Sequence, residues 1–287
     1  MNIINNLDLS KKTTFKVGGT AKNFYIPSST DELLRLLGSI GEEDYFILSG
    51  GSNLLINDEK CFEHVISMEK ADESMTSLGD GRFYIGASCR IQKVISFVNE
   101  NQYGGFEGLY GLPALFGGNI YMNAGIGSKK NSKFTISDYI ERVKCINRKK
   151  KEIVWLDKTQ CGFAHRKSIF FDNEYIILGA EIKCVQQTIE LSKEKIKQRL
   201  EYCRKNQVWG KGCFGTCFCD SNKKVLQIAR VFRKFGNHGI SVLKTNPNWI
   251  INNGNATFKE TMKHINSCKR LHKLFHKKIE LEVRIWN

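Results

Sequence analysis

No stretch of this 287-residue chain is apolar over the length needed to cross a membrane as a helix, and none is repeated or of low complexity. Those absences exclude a bundle of membrane-spanning helices and an array of sequence repeats. The opening residues, Met1 to Asp8, lack the basic region and apolar core of a secretory signal, so a cytoplasmic protein is expected. Paired Cys-x-x-Cys spacing is missing too. Cys213, Cys217 and Cys219 lie close together but in the wrong pattern for zinc, and no metal is expected. Acidic residues are scarce: 29 Asp and Glu stand against 44 Lys and Arg, a net charge of +15. That balance favours a negative partner, whether phosphorylated small molecule, nucleic acid or membrane surface, and narrows it no further.

What is present fits a globular protein. Hydrophobic residues make up 41% and charged residues 25%, and the length allows a large core divided between two domains. Without a secretory signal, the ten cysteines are expected as reduced thiols, with Cys145 and Cys184 as small core residues.

Two glycine-rich segments stand out. Ser49-Gly50-Gly51-Ser52-Asn53 joins the apolar runs Tyr45 to Leu48 and Leu54 to Ile56, both read as short buried strands. Its backbone amides and two polar side chains suit a pyrophosphate, and they equally suit a plain tight turn. It is not the usual dinucleotide fingerprint, because no Gly-x-x-Gly follows and no helix opens there. The second segment runs from Gly104 through Gly118 to Met122-Asn123-Ala124-Gly125. It is too apolar for a linker and dense enough in glycine for backbone to lie against a flat cofactor. A packed structural loop is the competing reading.

Around these segments the first half alternates strands and helices. Ser29 with Glu32 forms a capping box for a helix that buries Leu33, Leu34, Leu36 and Leu37. Ser88 is expected to cap a helix with Ile91, Val94, Ile95 and Val98 on one face. Strands are expected at Phe83 to Gly86, Val143 to Ile146, Glu152 to Leu156 and Tyr175 to Ile182. A polar helix from Ser192 to Lys205 follows a domain boundary placed near residue 187. The remainder holds a helix from Lys224 to Lys234, a strand Trp249 to Asn252, and a helix capped by Thr257 and Glu260 that bears Phe258, Met262, Ile265 and Phe275. It closes on a strand from Ile279 to Ile285. His264, Cys268, His272 and His276 recur every four residues. Four such positions span about 18 Å of helix and drift around its axis, so they read as a solvated basic face rather than one metal site.

The order of these motifs resembles the UDP-N-acetylenolpyruvoylglucosamine reductase family. The residues that carry the likeness are Thr14 to Gly19, Gly50 to Leu55, Gly111-Leu112-Pro113, Gly117-Gly118, Met122 to Gly125, Cys161 to Phe170, Gly215 to Phe218, Asn248 to Asn252 and Glu280 to Arg284. The resemblance implies an α+β fold. A two-part FAD-binding domain of the vanillyl-alcohol-oxidase type (residues 1–186, two lobes) would precede a smaller α+β substrate-binding domain (187–287). It implies FAD and NADPH as cofactors and reduction of UDP-N-acetylglucosamine enolpyruvate to UDP-N-acetylmuramate in peptidoglycan precursor synthesis. It further implies a cytoplasmic monomer that binds no nucleic acid, of the compact type without an extra substrate-capping insertion. Flavin contacts would come from Val17, Gly18, Gly19, Ser49, Gly50, Gly51, Ser52, Asn53, Leu54, Gly111, Pro113, Gly117, Gly118, Asn123, Ala124 and Gly125.

The same resemblance assigns catalysis to Arg166, Thr216 and Glu282. Hydride addition to an enol ether conjugated to a carboxylate builds negative charge on that carboxylate and the neighbouring carbon, which needs a cation and a proton donor. The family's Gly-Ser-x-Phe is followed by a basic residue, Asn and Pro. Here the stretch reads Gly215-Thr216-Cys217-Phe218-Cys219-Asp220-Ser221, so a threonine hydroxyl stands in the proton donor's place. Ala114 replaces a usual glycine and His165 a usual tyrosine. A diverged flavin-binding paralogue with weak or no reductase activity, and a basic nucleic-acid binder, remain the alternatives.

Overall fold

The chain divides into two compact units, each assembled from three separate segments. The first comprises Met1–Ile4, Asn23–Gly50 and His64–Lys205; the second comprises Asn5–Lys22, Gly51–Glu63 and Asn206–Asn287. The linear cut expected between residues 186 and 187 is therefore not how the chain partitions. The computed structural model describes residues 1–41, 44–127, 132–208, 210–232 and 239–287. With mixed helix and strand, the fold is α+β.

In the first unit a five-stranded antiparallel sheet runs in the order Glu152–Asp157, Ile140–Asn147, Tyr175–Lys183, Arg82–Gly86, Met75–Gly79. Successive side chains of a strand point to opposite faces. Tyr175–Lys183 sends Ile177, Ala180 and Ile182 into one cluster and Ile176 and Leu178 into another, the alternation changing phase at the bulge opposite Lys144 and Cys145. The first cluster is completed by Ile91, Val94, Ile95 and Val98 of the helix Ile91–Glu100. The second is completed by Leu33, Leu36, Leu37 and Ile40 of the helix Thr30–Ile40. Ser29 caps that helix, accepting from Glu32 N at 3.2 Å. The Glu32 carboxylate accepts from Ser28 N at 2.8 Å, one residue earlier than a reciprocal box requires. Ser88 does not cap its helix. Its hydroxyl donates to Met68 O and accepts from Asp72 N at 2.9 Å, while Arg90 occupies the cap position without a side-chain bond. Tyr45 to Ile47 are half-buried rather than buried, and Leu48 alone of that strand is fully enclosed.

In the second unit the strands Gly212–Thr216, Trp249–Asn252 and Ile240–Val242 form an antiparallel sheet in that order. Helices Lys223–Phe232 and Phe258–Leu274 pack against it around Phe15, Leu55, Phe214, Phe218, Leu226, Ile250, Ile265 and Val283. The single closing strand expected from Ile279 to Ile285 is two short ones. Glu280–Leu281 pairs with Phe218–Asp220, and Arg284–Trp286 pairs in parallel with Leu54–Ile56. The break falls at Glu282 and Val283, whose N–H groups turn aside to Cys217 O. That parallel pairing ties the segment Gly51–Glu63 to the unit that ends the chain, while Thr14 and Phe15 tie in Asn5–Lys22 through Cys213 and Phe214.

The four-residue stripe is corrected. His264, Cys268 and His272 are 5%, 1% and 0% exposed and belong to the core side of their helix, and only His276 lies on the open side. His272 Nε2 accepts from Asn222 N at 2.9 Å and its Nδ1 donates to Cys268 O at 2.8 Å, a neutral ring used as structural glue. Phe275 falls just past that helix and is exposed, not core. Residues 233 and 234, the expected end of the preceding helix, lie outside the described residues. All ten cysteines are free, with Cys145 and Cys184 buried as expected. Among the described residues no helix is long and apolar enough to cross a membrane, and no cluster of His, Cys, Asp or Glu could hold a metal ion.

Candidate functional site

In the first unit the Ser49–Gly50 end of the turn meets the second glycine segment. A side chain added at Gly50 would sit 3.2 Å from Leu115 N and 3.5 Å from Pro113 O, and one added at Gly118 would sit 2.9 Å from Ser49 Oγ. Ser49, Gly50, Pro113 and Gly118 are therefore brought together. The loop before them is braced by Gln92, whose amide donates to Tyr110 O at 2.8 Å and Leu112 O at 2.6 Å. Gly111 lies apart from this group, against Cys203 and Arg199 of the helix Ile189–Asn206.

Arg166 is placed by the other end of the same segment. It sits at the tip of a two-residue turn closed by Ala164 N to Lys167 O at 3.0 Å, with φ +54°. Left-handed backbone at a non-glycine residue costs on the order of 1 kcal/mol, and surrounding bonds must hold it. Here they do. Arg166 Nη2 donates to Gly125 O at 2.7 Å and Nη1 to Asn123 O at 3.3 Å. Asn123, itself buried at φ +41°, donates from Nδ2 to Ala164 O at 2.9 Å and accepts at Oδ1 from Ser137 N at 3.2 Å. Ala124 O accepts from Ile136 N at 2.7 Å. Asn123, Ala124, Gly125 and Arg166 thus form one hydrogen-bonded cradle that holds the guanidinium by its two terminal nitrogens.

In the second unit the other expected residues converge. Asn53 Nδ2 donates to Glu282 O at 3.1 Å, and Asn53 O accepts from Arg284 N at 3.0 Å. Leu54 pairs directly with Arg284. Cys217 O accepts from Glu282 N at 2.8 Å and Val283 N at 3.3 Å, which puts Glu282 beside Thr216. Gly215, at φ +79° with open space around its Cβ position, precedes that threonine. The Thr14 hydroxyl donates to Cys213 O at 2.7 Å, and the Ser52 carbonyl lies 3.3 Å from it. Asn53, Ser52, Thr216 and Glu282 therefore share one corner. Burial, helped by the neighbouring Glu282 carboxylate, holds the Cys217 thiol well above its ordinary range, so its proton is not readily released.

At several of these glycines backbone or side-chain atoms occupy the space a Cβ would take. Side chains at Gly18, Gly19 and Gly51 would collide with the backbone of Leu9, Lys60 and Lys12 at 2.7, 2.0 and 2.1 Å. One at Gly117 would strike Ala87 and one at Gly125 would strike Phe134 O. These positions are small because chain passes against chain, so the packed-loop reading explains most of the glycine density. Val17 is a core residue of its unit.

Curated proteins resemble the chain from end to end. A UDP-N-acetylenolpyruvoylglucosamine reductase from Thermotoga petrophila is 26% identical over 288 residues, covering 97% of this chain and 96% of the relative. One from Fervidobacterium nodosum is 28% identical, covering 98% and 91%. The crystal structure of the reductase of that name from Thermus caldophilus aligns over 100% of both chains, with TM-score 0.77 at 22% identity. The chain is similar over its whole length to the UDP-N-acetylenolpyruvoylglucosamine reductases. No family model matches it.

For a reductase that would carry a flavin, two orphaned atoms matter. Ser49 Oγ and Asn119 Oδ1 are both buried without a hydrogen-bond partner, and Ser49 Oγ lies against the Gly118 position beside Asn119. Unsatisfied buried polar groups are uncommon, and a ligand is one thing that satisfies them. The residues present fit a polar cofactor edge at that point. Sequence reasoning missed Asn119 and Gln92. It quoted Asn248 without seeing its task, which is to pair both backbone groups of Phe218 at 2.7 and 2.9 Å. A polar residue just before an apolar strand was the available signal.

Proposed function

We propose that the chain is an FAD-dependent reductase that uses NADPH to convert UDP-N-acetylglucosamine enolpyruvate to UDP-N-acetylmuramate, a cytoplasmic step of peptidoglycan precursor synthesis. The end-to-end match to reductases of nearly the same length carries this reading. Bound flavin, reduced by NADPH, would supply the hydride. Ser49, Gly50, Pro113, Gly117, Gly118, Asn123, Ala124 and Gly125 of the first unit would hold it. Gly51, Ser52, Asn53 and Leu54 of the second belong to the same proposal. Val17, Gly18 and Gly19 of the second unit and Gly111 of the first would contribute as packing, each within its own unit.

Charge that develops on the substrate carboxylate would fall to Arg166, whose guanidinium is anchored on two carbonyls and so keeps its orientation as the charge grows. The Thr216 hydroxyl would deliver a proton to the adjacent carbon. Glu282 would hydrogen-bond the carboxylate in its protonated form or organise the proton donor. The surplus of basic residues suits a diphosphate substrate and a phosphorylated nicotinamide.

The test is spectroscopic. Purified protein should be yellow with bound flavin, and its NADPH oxidation should depend on the enolpyruvyl sugar. NADPH consumption indifferent to that sugar would overturn the assignment. Thr216, with Cys219 and Ser221 after it, motivates a second reading as a flavin binder with little turnover. Flavin that NADPH bleaches, without formation of product, would select it.

A further inference from the structure

We infer that the C-terminal end of the helix Phe258–Leu274 is a docking site for an anionic phospholipid surface. Between Glu260 and Glu280 the chain has no acidic residue, and its last stretch reads Lys269-Arg270-Leu271-His272-Lys273-Leu274-Phe275-His276-Lys277-Lys278. Lys269, Arg270, Lys273, Lys277 and Lys278 are all exposed. The bond from Asn222 N to His272 Nε2 sets the start of the helix Lys223–Phe232 beside this end, which adds exposed Lys223 and Lys224 to the same region. The nearest acidic residues along the chain, Asp220 and Glu280, face each other across a strand pair.

A helix C-terminus attracts cations, so the last-turn lysines alone would need no partner. The dipole does not explain the apolar pair among them. Leu274 is 69% exposed and Phe275 44%, adjacent and ringed by positive charge. Large apolar side chains set within a polybasic cluster match the two requirements of an interfacial anchor: insertion at the acyl boundary and attraction to anionic headgroups. Single-stranded nucleic acid is the weaker fit, because it stacks on a series of aromatic platforms and Phe275 is the only aromatic residue in the run. The inference is independent of the proposed reductase activity, since it uses none of the residues assigned to it.

The intact protein would be sedimented with vesicles of phosphatidylcholine alone and of phosphatidylcholine with an equal part of phosphatidylglycerol. Binding to the second and not the first, weakening as salt is added, is expected. Lys273→Gln with Lys277→Gln should lower partitioning roughly thirtyfold, from about a fivefold loss per cation. Leu274→Ser, which leaves the charge intact, should lower it roughly tenfold. Circular dichroism spectra matching the parent would confirm that both variants fold. No association with anionic vesicles at low salt, or variants that bind like the parent, would overturn the inference. So would retention on a single-stranded oligonucleotide, lost in the lysine variant, with vesicles ignored.

Discussion

Asn248→Ala separates support of the Thr216 corner from mere packing. The alanine variant loses both side-chain bonds to Phe218, the donation to its carbonyl at 2.7 Å and the acceptance from its N–H at 2.9 Å. Phe218 is buried, so those backbone groups find little water in exchange. Each loss costs about 1–1.5 kcal/mol, and because Asn248 is itself only half-buried the total should be about 2 kcal/mol. At roughly 2–4 °C per kcal/mol for a chain of this size, the melting temperature should fall by about 6 °C. The bond from Cys217 N to Asn248 O survives, because alanine keeps the carbonyl. The strand therefore stays paired while its far end loosens. Cys217 O also anchors the Glu282 and Val283 amides, so Thr216 and Glu282 shift together. A misplacement on the order of 1 Å costs about a hundredfold in rate. Thermal unfolding by circular dichroism and NADPH oxidation with saturating enolpyruvyl sugar would read the two effects. A variant that melts within a degree of the parent and turns over at the parental rate would refute the reasoning.

Gly51→Ala places a Cβ 2.1 Å from Lys12 O at φ +61° and should cost several kcal/mol, seen as loss of folded protein. Gly210→Ala, at φ +74° with nothing near its Cβ position, should cost only about 1 kcal/mol, and equal losses at the two positions would contradict the close-approach argument. Thr216→Ala should lower turnover by about 10²–10⁴ while flavin stays bound, and Thr216→Ser should retain it; an alanine variant with parental turnover would remove Thr216 from the reaction. Burial pushes the Cys145, Cys161 and Cys268 thiols up to about 12. In the unfolded chain the same thiols ionise near roughly 8.5. Between those values the folded state holds more protons, so stability is full below the lower value and declines as pH rises towards the upper one. The melting temperature should be flat near neutrality and drop in alkali, and a rise there would reverse the assignment of these thiols to the folded core.

Local chemistry made much of the chain legible. The strand Trp249–Asn252 was bounded correctly, and the Ser29 and Thr257 caps are where their side chains placed them, because strand propensity and capping act over a few residues. Ser88 failed as a cap because two distant groups, Met68 O and Asp72 N, compete for its hydroxyl. The histidine stripe failed because helical spacing says which residues share a face and not what covers that face. The candidate site was legible only as separate motifs, and tertiary contacts decide which residues neighbour each other within each unit: Ser49 and Gly118, Asn123 and Arg166, Asn53 and Glu282.

By itself the sequence determined the α+β class, most elements, the glycine-rich segments and the family likeness, all of which rest on local pattern and motif order. Tertiary structure alone decided the rest. It showed that several glycines proposed as ligand contacts also make room for neighbouring backbone, since a missing side chain records that space is needed and not what fills it. It also showed that the final strand breaks at Glu282, because the hydrogen bonds of its amides go to Cys217, a partner 65 residues away in the chain (282 minus 217).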